Sequence, residues 1–368
     1  MPTTRARGCA ALLASALALA PLAACDTPSP APGACEVADV LLTEASPAHE
    51  QDARVDAMNG PGWVAGDSTY SVVLPDGRVL WLYSDSFSGS LGLRGQTGPG
   101  TVMVHNTLVV QSPDGTTRTL TGTRDGEPSA FFPDVDERTY HWVQDATVEG
   151  SQLTVFLART TGSGSDFRWT GTSVARVSLP DLRLLSISEV PGAGDVAWGA
   201  AIMEHEDATY VYGVEDRGSD KHLHLAKAPP GAVHDRTQWS YRTADGWSTR
   251  PEDSARITNG VANELSVQPY DGGYLLVTSD TRELFSPDVV ARTACSPAGP
   301  WGEAQLLYTA PEPAEDERFA YNAHAHPGLP GAEPDELLVS YNVNTFDSDR
   351  LFATPSIYRP RFVRLRLP

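Results

Sequence analysis

From Trp63 to the end of the chain, apolar and polar residues alternate in short runs, and no helical period of three to four residues persists. Runs such as YSVVL, VLWLY, LTVFLAR, ATYVYG, YLLVTS and ELLVSYN are rich in β-branched and aromatic side chains, and Gly, Pro, Asp or Asn bounds each of them. Period two with such punctuation predicts strands, so the chain is expected to be all-β. One element returns five times: an alternating strand with a basic or polar residue near its end, mostly followed by Pro and Gly. It reads LVVQSPDG at residues 108–115, VARVSLPD at 174–181, LHLAKAPPG at 223–231, VVARTACSPAGP at 289–300 and FVRLRLP at 362–368. Successive copies lie roughly 50–70 residues apart, enough for a four-stranded antiparallel sheet with its loops. The pattern therefore predicts a five-bladed β-propeller. A two-sheet sandwich would also use many short strands, but it does not call for five equivalent hairpins. Residues 37–56 are expected to supply an outer strand that closes the ring.

The first hairpin is GDSTYSVVLPDGRVLWLYSD, residues 66–85. Pro at the second turn position and Gly at the left-handed position predict a three-residue loop with a bulge, which sets Leu74 opposite Arg78. Carried outward, that register sets Asp67 opposite Asp85, with Cβ atoms about 4.5–5.5 Å apart. Facing carboxylates destabilise a hairpin unless something uses them. A carboxyl pair about 5–5.5 Å apart is what a retaining glycosidase holds, against about 6.5–9.5 Å in an inverting one. Taken singly, each Asp could equally cap its own turn.

The matching ends of the other hairpins are also polar. The second carries Asp145 and Arg159; the third Trp198, Glu215 and Asp216; the fourth Glu264 and Asp280, which face one another about a turn at Gly272. The fifth carries Tyr321, His324, His326, Asn342 and Asn344. Blades set around an axis would bring these ends to one mouth, a polar bowl with aromatic walls. Asp67 and Asp85 are the expected catalytic pair. Asn106, Trp142, Asp145, Trp198, Glu264, His324, Asn342 and Asn344 are the expected sugar-orienting groups. His324 and His326 alternate and suit a metal pair, but no third ligand follows at a diagnostic spacing. A hydrogen-bonding role is favoured, with no metal or other cofactor. There is no Gly-rich phosphate loop and no Gly-x-Ser-x-Gly elbow.

Arg5 and Arg7 precede an apolar run, residues 10–22, that ends in Leu22-Ala23-Ala24-Cys25. The run is too short to span a bilayer, and residues 1–24 read as a lipoprotein signal peptide with Cys25 as the lipidated N-terminus. An ordinary secretory signal is the alternative. Residues 25–34 are Pro-rich and read as a tether, and residues 35–368 as the propeller domain. Cys35 and Cys295 then remain in an oxidising compartment, either as one disulfide or as two buried thiols. The expected location is extracytoplasmic, held to a bacterial membrane by lipid alone, or else secreted. With 47 acidic against 27 basic residues and a net charge of −20, nucleic acid and anionic lipid surfaces are excluded as partners. A monomer acting on a polysaccharide or oligosaccharide is expected.

GDSTYSVVLPDGRVLWLYSDSF, VHNTLVVQ, NELSVQP, YNAHAHP, LLVSYNVN and the terminal YRPRFVRL together resemble the five-bladed propeller family catalogued as domain of unknown function 4185. The likeness spans nearly all of the chain after the leader. The family includes retaining endo-D-arabinanases, glycoside hydrolase family 183, whose two catalytic aspartates lie in the first hairpin. The resemblance therefore implies Asp67 as acid/base and Asp85 as nucleophile, acting on an arabinofuranan. Ser86 departs from it, since related chains often carry Thr there. The competing expectation is a noncatalytic glycan-binding propeller on the cell surface.

Overall fold

The computed structural model describes residues 35, 44–162, 166–190, 194–312, 317–330, 333 and 335–367. The leader, the lipidation position Cys25 and the tether lie outside the described residues. Five antiparallel sheets repeat one order, first strand innermost. The first blade is Tyr70–Val73, Val79–Tyr83, Thr107–Gln111 and Thr117–Leu120. The second is Thr139–Glu149, Gln152–Thr161, Arg168–Ser178 and Leu184–Val190. In the third, Val196–His205, Ala208–Arg217 and Asp220–Ala228 run in sequence, and two short pieces share the fourth place. Ser240–Arg242 pairs with one end of the third strand and Thr258–Asn259 with the other. The fourth blade is Leu265–Tyr270, Gly273–Ser279, Asp288–Ala294 and Gln305–Thr309.

The fifth blade joins the two ends of the domain. Arg318–Ala325, Glu336–Thr345 and Arg361–Arg366 are followed outward by Glu44–Pro47, so the closing strand comes from within residues 37–56. The rest of that segment is not extended, for His49–Asp56 is an α-helix. Cys35 is disulfide-bonded to Cys295, which follows the third strand of the fourth blade. The fold is thus a closed five-bladed β-propeller, and closure removes the open sheet edges that an isolated blade would expose.

The alternation in each run is satisfied by packing blade on blade. Val79–Tyr83 is buried along its whole length, because both faces of a second strand meet neighbouring blades. Trp198, Trp239, Tyr241 and Phe156 fill one such interface. Gly199 sits in the bulge between Trp198 and Ala201, and a Cβ there would meet Phe156 at 2.3 Å. Only glycine fits that approach at its φ of +101°.

One buried cation ties the chain ends together. The Arg359 guanidinium donates to Val64 O at 2.9 Å, Met58 O at 2.9 Å and Asp56 O at 3.2 Å, and pairs with the Asp56 carboxylate. Replacing Arg359 by Met would leave these carbonyls unpaired. A loss of about 3 kcal/mol in unfolding free energy is expected, with an unchanged urea m-value, and equal midpoints for variant and wild type would contradict the assignment.

Candidate active site

The first hairpin is longer than one blade. Its register, Tyr70 opposite Leu82 and Val73 opposite Val79, is the one its Pro-Asp-Gly turn predicts. The same register resumes beyond the blade, where Gly66 faces Ser86 and Ala65 faces Phe87 in a separate three-stranded sheet of Gly62–Gly66, Ser86–Gly89 and Val102–Val104. Between the two sheets the ladder breaks. Ser68 and Thr69 both have left-handed backbones, φ +68° and +65°. Asp67 bridges the break: its N–H donates to Asp85 O at 3.2 Å and its C=O accepts from Ser84 N at 3.0 Å. The two aspartates face each other at this junction.

Their surroundings differ. Asp85 Oδ1 accepts from Trp142 Nε1 at 2.9 Å and from His105 Nδ1 at 3.1 Å, while Oδ2 accepts no hydrogen bond among the described residues. Burial opposes a charge on His105, but the hydrogen bond and charge of Asp85, with Asp134, outweigh it and raise its pKa. The imidazole stacks on Tyr140 with centroids 3.8 Å apart. Asp67 is enclosed: burial first and the Asp85 charge second push its pKa from 3.8 up to about 7. Tyr321 donates to its Oδ2 at 2.7 Å, and Asn344 Nδ2 donates in turn to the Tyr321 oxygen at 3.2 Å. The Tyr358 hydroxyl acts on the same carboxylate, whereas Oδ1 closes no well-aligned bond. One carboxyl thus holds its proton near neutrality and the other presents an open oxygen.

Three residues expected to touch sugar stand behind this pair and brace the broken strand. The Ser68 hydroxyl lies 2.7 Å from Glu264 Oε1, which also accepts from Asn322 Nδ2 at 2.8 Å. Asn342 Nδ2 donates to Thr69 Oγ1 at 2.9 Å, and His324 Nε2 reaches Thr69 O at 3.3 Å while its ring stacks on Tyr70. Burial pushes the Glu264 carboxyl well above its usual range, to which the Asp67 charge adds, and lowers His324 to about 4. The His324 imidazole is therefore neutral at pH 7. A left-handed β-branched residue is costly and persists only where its surroundings over-determine it, as these contacts do.

Other expected site residues serve the scaffold. Asn106 is fully buried and spends its amide on Phe132 O, His141 O and Phe132 N, stapling two loops. Asp145 sits in the bulge after Val143, accepts from Ile202 N at 2.6 Å and Ala146 N at 2.8 Å, and so locks the second blade to the third. Trp198 is 1% exposed in the core between those blades and offers no surface to a ligand. Glu264 does not face Asp280, because the pairing of Leu265 with Thr278 shifts the partner by one residue. Arg159 faces His141 and pairs with Glu189 rather than meeting Asp145. His326 lies between Ser71 Oγ and Ser340 Oγ, both at 2.8 Å, which occupies both ring nitrogens. Trp142 and Asn344 remain in the site as supports of Asp85 and Tyr321. His105, Tyr140 and Tyr358 also belong to it: His105 comes from a loop and Tyr358 from a short 3-10 turn, neither of which carries a period, and Tyr140 opens the strand Thr139–Glu149, where alternation alone does not separate a site ring from a core ring. For His105, the one signal was its place just before the strand Thr107–Gln111 that pairs with the Asp85 hairpin.

The family described as Domain of unknown function (DUF5005) matches residues 57–366, and the chain belongs to it. That match overturns the resemblance to domain of unknown function 4185. A curated protein, the notoamide biosynthesis cluster protein J' of Aspergillus versicolor, is 29% identical over 147 residues, 39% of this chain and 39% of that protein. The chain thus spans about two-fifths of that relative's length. Among solved structures, one described as a "putative hydrolase" from Bacteroides ovatus superposes with a TM-score of 0.72 at 21% identity, covering 87% of this chain and 90% of that one. An exo-beta-1,3-galactanase from Phanerochaete chrysosporium gives 0.47 at 11% identity over 83% and 63% of the two chains. A GH43_1 enzyme from Xanthomonas citri complexed with xylose gives 0.47 at 13% identity over 86% and 93%. At 21% identity, the Bacteroides ovatus structure carries the fold alone.

The raised Asp67 pKa has a consequence for stability. The folded state binds this proton more tightly than the unfolded chain, so the favourable contribution is complete below about pH 4 and is lost as pH rises through about 7. Asp67→Asn removes that titration. Its Tm is expected to exceed the wild-type value by a few degrees more at pH 9 than at pH 5, and thermal unfolding with a gap that narrows toward pH 9 would contradict the buried-proton assignment.

Proposed function

For this member of the DUF5005 family we propose a glycoside hydrolase that cleaves glycan by double displacement, with Asp85 as nucleophile and Asp67 as acid/base. The observation that carries the reading is the unequal carboxyl pair at the break in the first hairpin, one oxygen open and one carboxyl protonated near pH 7. Its backbone pairing favours the shorter of the two separations used by glycosidases. The fold shared with the Bacteroides ovatus protein agrees with such a site. Only the overturned resemblance implied an arabinofuranan substrate. The leader ahead of Cys25 supports an extracytoplasmic, lipid-anchored placement, where a glycan substrate would be met.

In the first half-reaction, Asp85 Oδ2 attacks the anomeric carbon while the Asp67 carboxyl gives its proton to the departing glycosidic oxygen. Trp142 and His105 hold Asp85 through Oδ1, which orients Oδ2 and spreads the charge that the carboxylate gives up. Tyr321, steadied by Asn344, keeps the Asp67 carboxyl aimed. In the second half, Asp67 takes a proton from water, the water oxygen bonds to the anomeric carbon, and the Asp85 ester bond breaks. The proton count is restored and the sugar keeps its configuration.

Asp85→Asn and Asp67→Asn are each expected to lower kcat on a responsive polysaccharide by about 1,000-fold or more, measured as new reducing ends on a panel of cell-wall glycans. Proton NMR of the first product should show the substrate's own anomer. Activity should decline as pH rises through about 7, where Asp67 loses its proton. Glycan binding that both variants retain, with no release by wild type on any glycan, would replace the enzyme with a binding module. Inversion at the anomeric carbon would dismiss the double displacement.

A further inference from the structure

Beside the carboxyl pair stands a group of phenylalanines that no core absorbs. Phe319 and Tyr321 alternate on Arg318–Ala325 and share one face, with ring centroids 5.4 Å apart. Phe346 lies 4.7 Å from Phe319 and is 75% exposed; Phe285 lies 4.2 Å from Phe319 and is 38% exposed. Phe285 and Phe346 also meet, at 5.7 Å. The group therefore runs without interruption from solvent to Tyr321, whose hydroxyl is on Asp67.

Each ring stands on a fixed support. Phe346 follows the strand whose Asn344 reaches Tyr321, and precedes Asp347, which caps the helix Ser348–Ala353. Phe285 has a left-handed backbone, φ +54°, an outlier for a bulky side chain. Its loop is clamped by the Arg282–Asp280 ion pair at 2.8 Å and by Asp280 N donating to Asp288 O at 2.8 Å. Strain that presents an aromatic ring to water, next to a polar cleft, has no use in packing and is typical of a binding surface.

We propose that Phe285, Phe319 and Phe346 form a stacking platform for a further sugar of the glycan, adjoining the one held over Asp67 and Asp85. This inference rests on the glycosidase reading and narrows it: the substrate is a chain of sugars, not a single glycoside. Sugar rings present apolar C–H faces, which suit aromatic faces that are rigid and only partly dry. Continuity with the carboxyl pair aligns the platform with the path of such a chain. The net charge of −20 favours an uncharged glycan over a polyuronate.

The test compares Phe346→Ala and Phe285→Ala with wild type, all as the full chain, on arabinogalactan, xylan and β-1,3-galactan and on aryl monoglycosides of the same sugars. Affinity electrophoresis in the same polysaccharides runs in parallel. The platform predicts that the ratio of kcat/KM on polymer to that on monoglycoside falls about tenfold in each variant, through KM. An unchanged ratio would overturn it. If wild type binds a polysaccharide without cutting it, a tenfold weaker retardation of Phe346→Ala still supports the platform while the glycosidase reading fails. If wild type neither binds nor cuts, both fall together.

Discussion

Two consecutive left-handed residues, Ser68 and Thr69, set the geometry on which the site depends. They interrupt the ladder of the first hairpin without changing its register. The break lets the chain pass from the accessory sheet into the first blade and leaves Asp67 and Asp85 at the junction. Thr69 gains nothing from that backbone by itself, so the conformation must be held from outside. Ser84 and Glu264 hold Ser68, while Asn342 and His324 hold Thr69. Ser84 lies in the same hairpin, but Glu264, Asn342 and His324 come from the fourth and fifth blades, far away in sequence, and their contacts exist only once the ring has closed.

Closure also decides the electrostatics. Asp67 is walled by Tyr321 and Tyr358 from the end of the chain, and their burial of its carboxyl is what separates its proton affinity from that of an ordinary surface aspartate. Glu264 and His324 stand close behind it; burial raises the proton affinity of the first and lowers that of the second, which spares the pocket a competing cation. A solvated pair at the same hairpin position would have lacked this asymmetry. The propeller thus does more than gather polar loop ends; it sorts them by depth, leaving Asp85 with an open oxygen and enclosing its neighbour.

That sorting explains which expected residues changed role. Asn106, Asp145 and Trp198 lie at the hairpin ends that the repeat pattern selects, yet they face the seams between blades and bond to backbone or pack in the core. Glu264, His324 and Asn342 are near the carboxyl pair but point to the strand behind it. Among the phenylalanines of the rim, Phe285 and Phe346 lie outside the strands, where alternation says nothing of exposure, and Phe319 sits at a strand position that a core aromatic could equally occupy.

The sequence by itself determined the all-β class, the five hairpins and the register of the first, because strand alternation and the Pro-Asp-Gly turn act over a few residues. The opposition of Asp67 and Asp85 follows from that register alone. The break at Ser68 and Thr69, the unequal carboxyls, the contributions of His105, Tyr321 and Tyr358, and the division between seam and mouth belong to the tertiary structure. Each depends on burial and on partners from other blades, and neither is a property of local sequence. The family match likewise rests on residues 57–366 together and not on the short hairpin motifs.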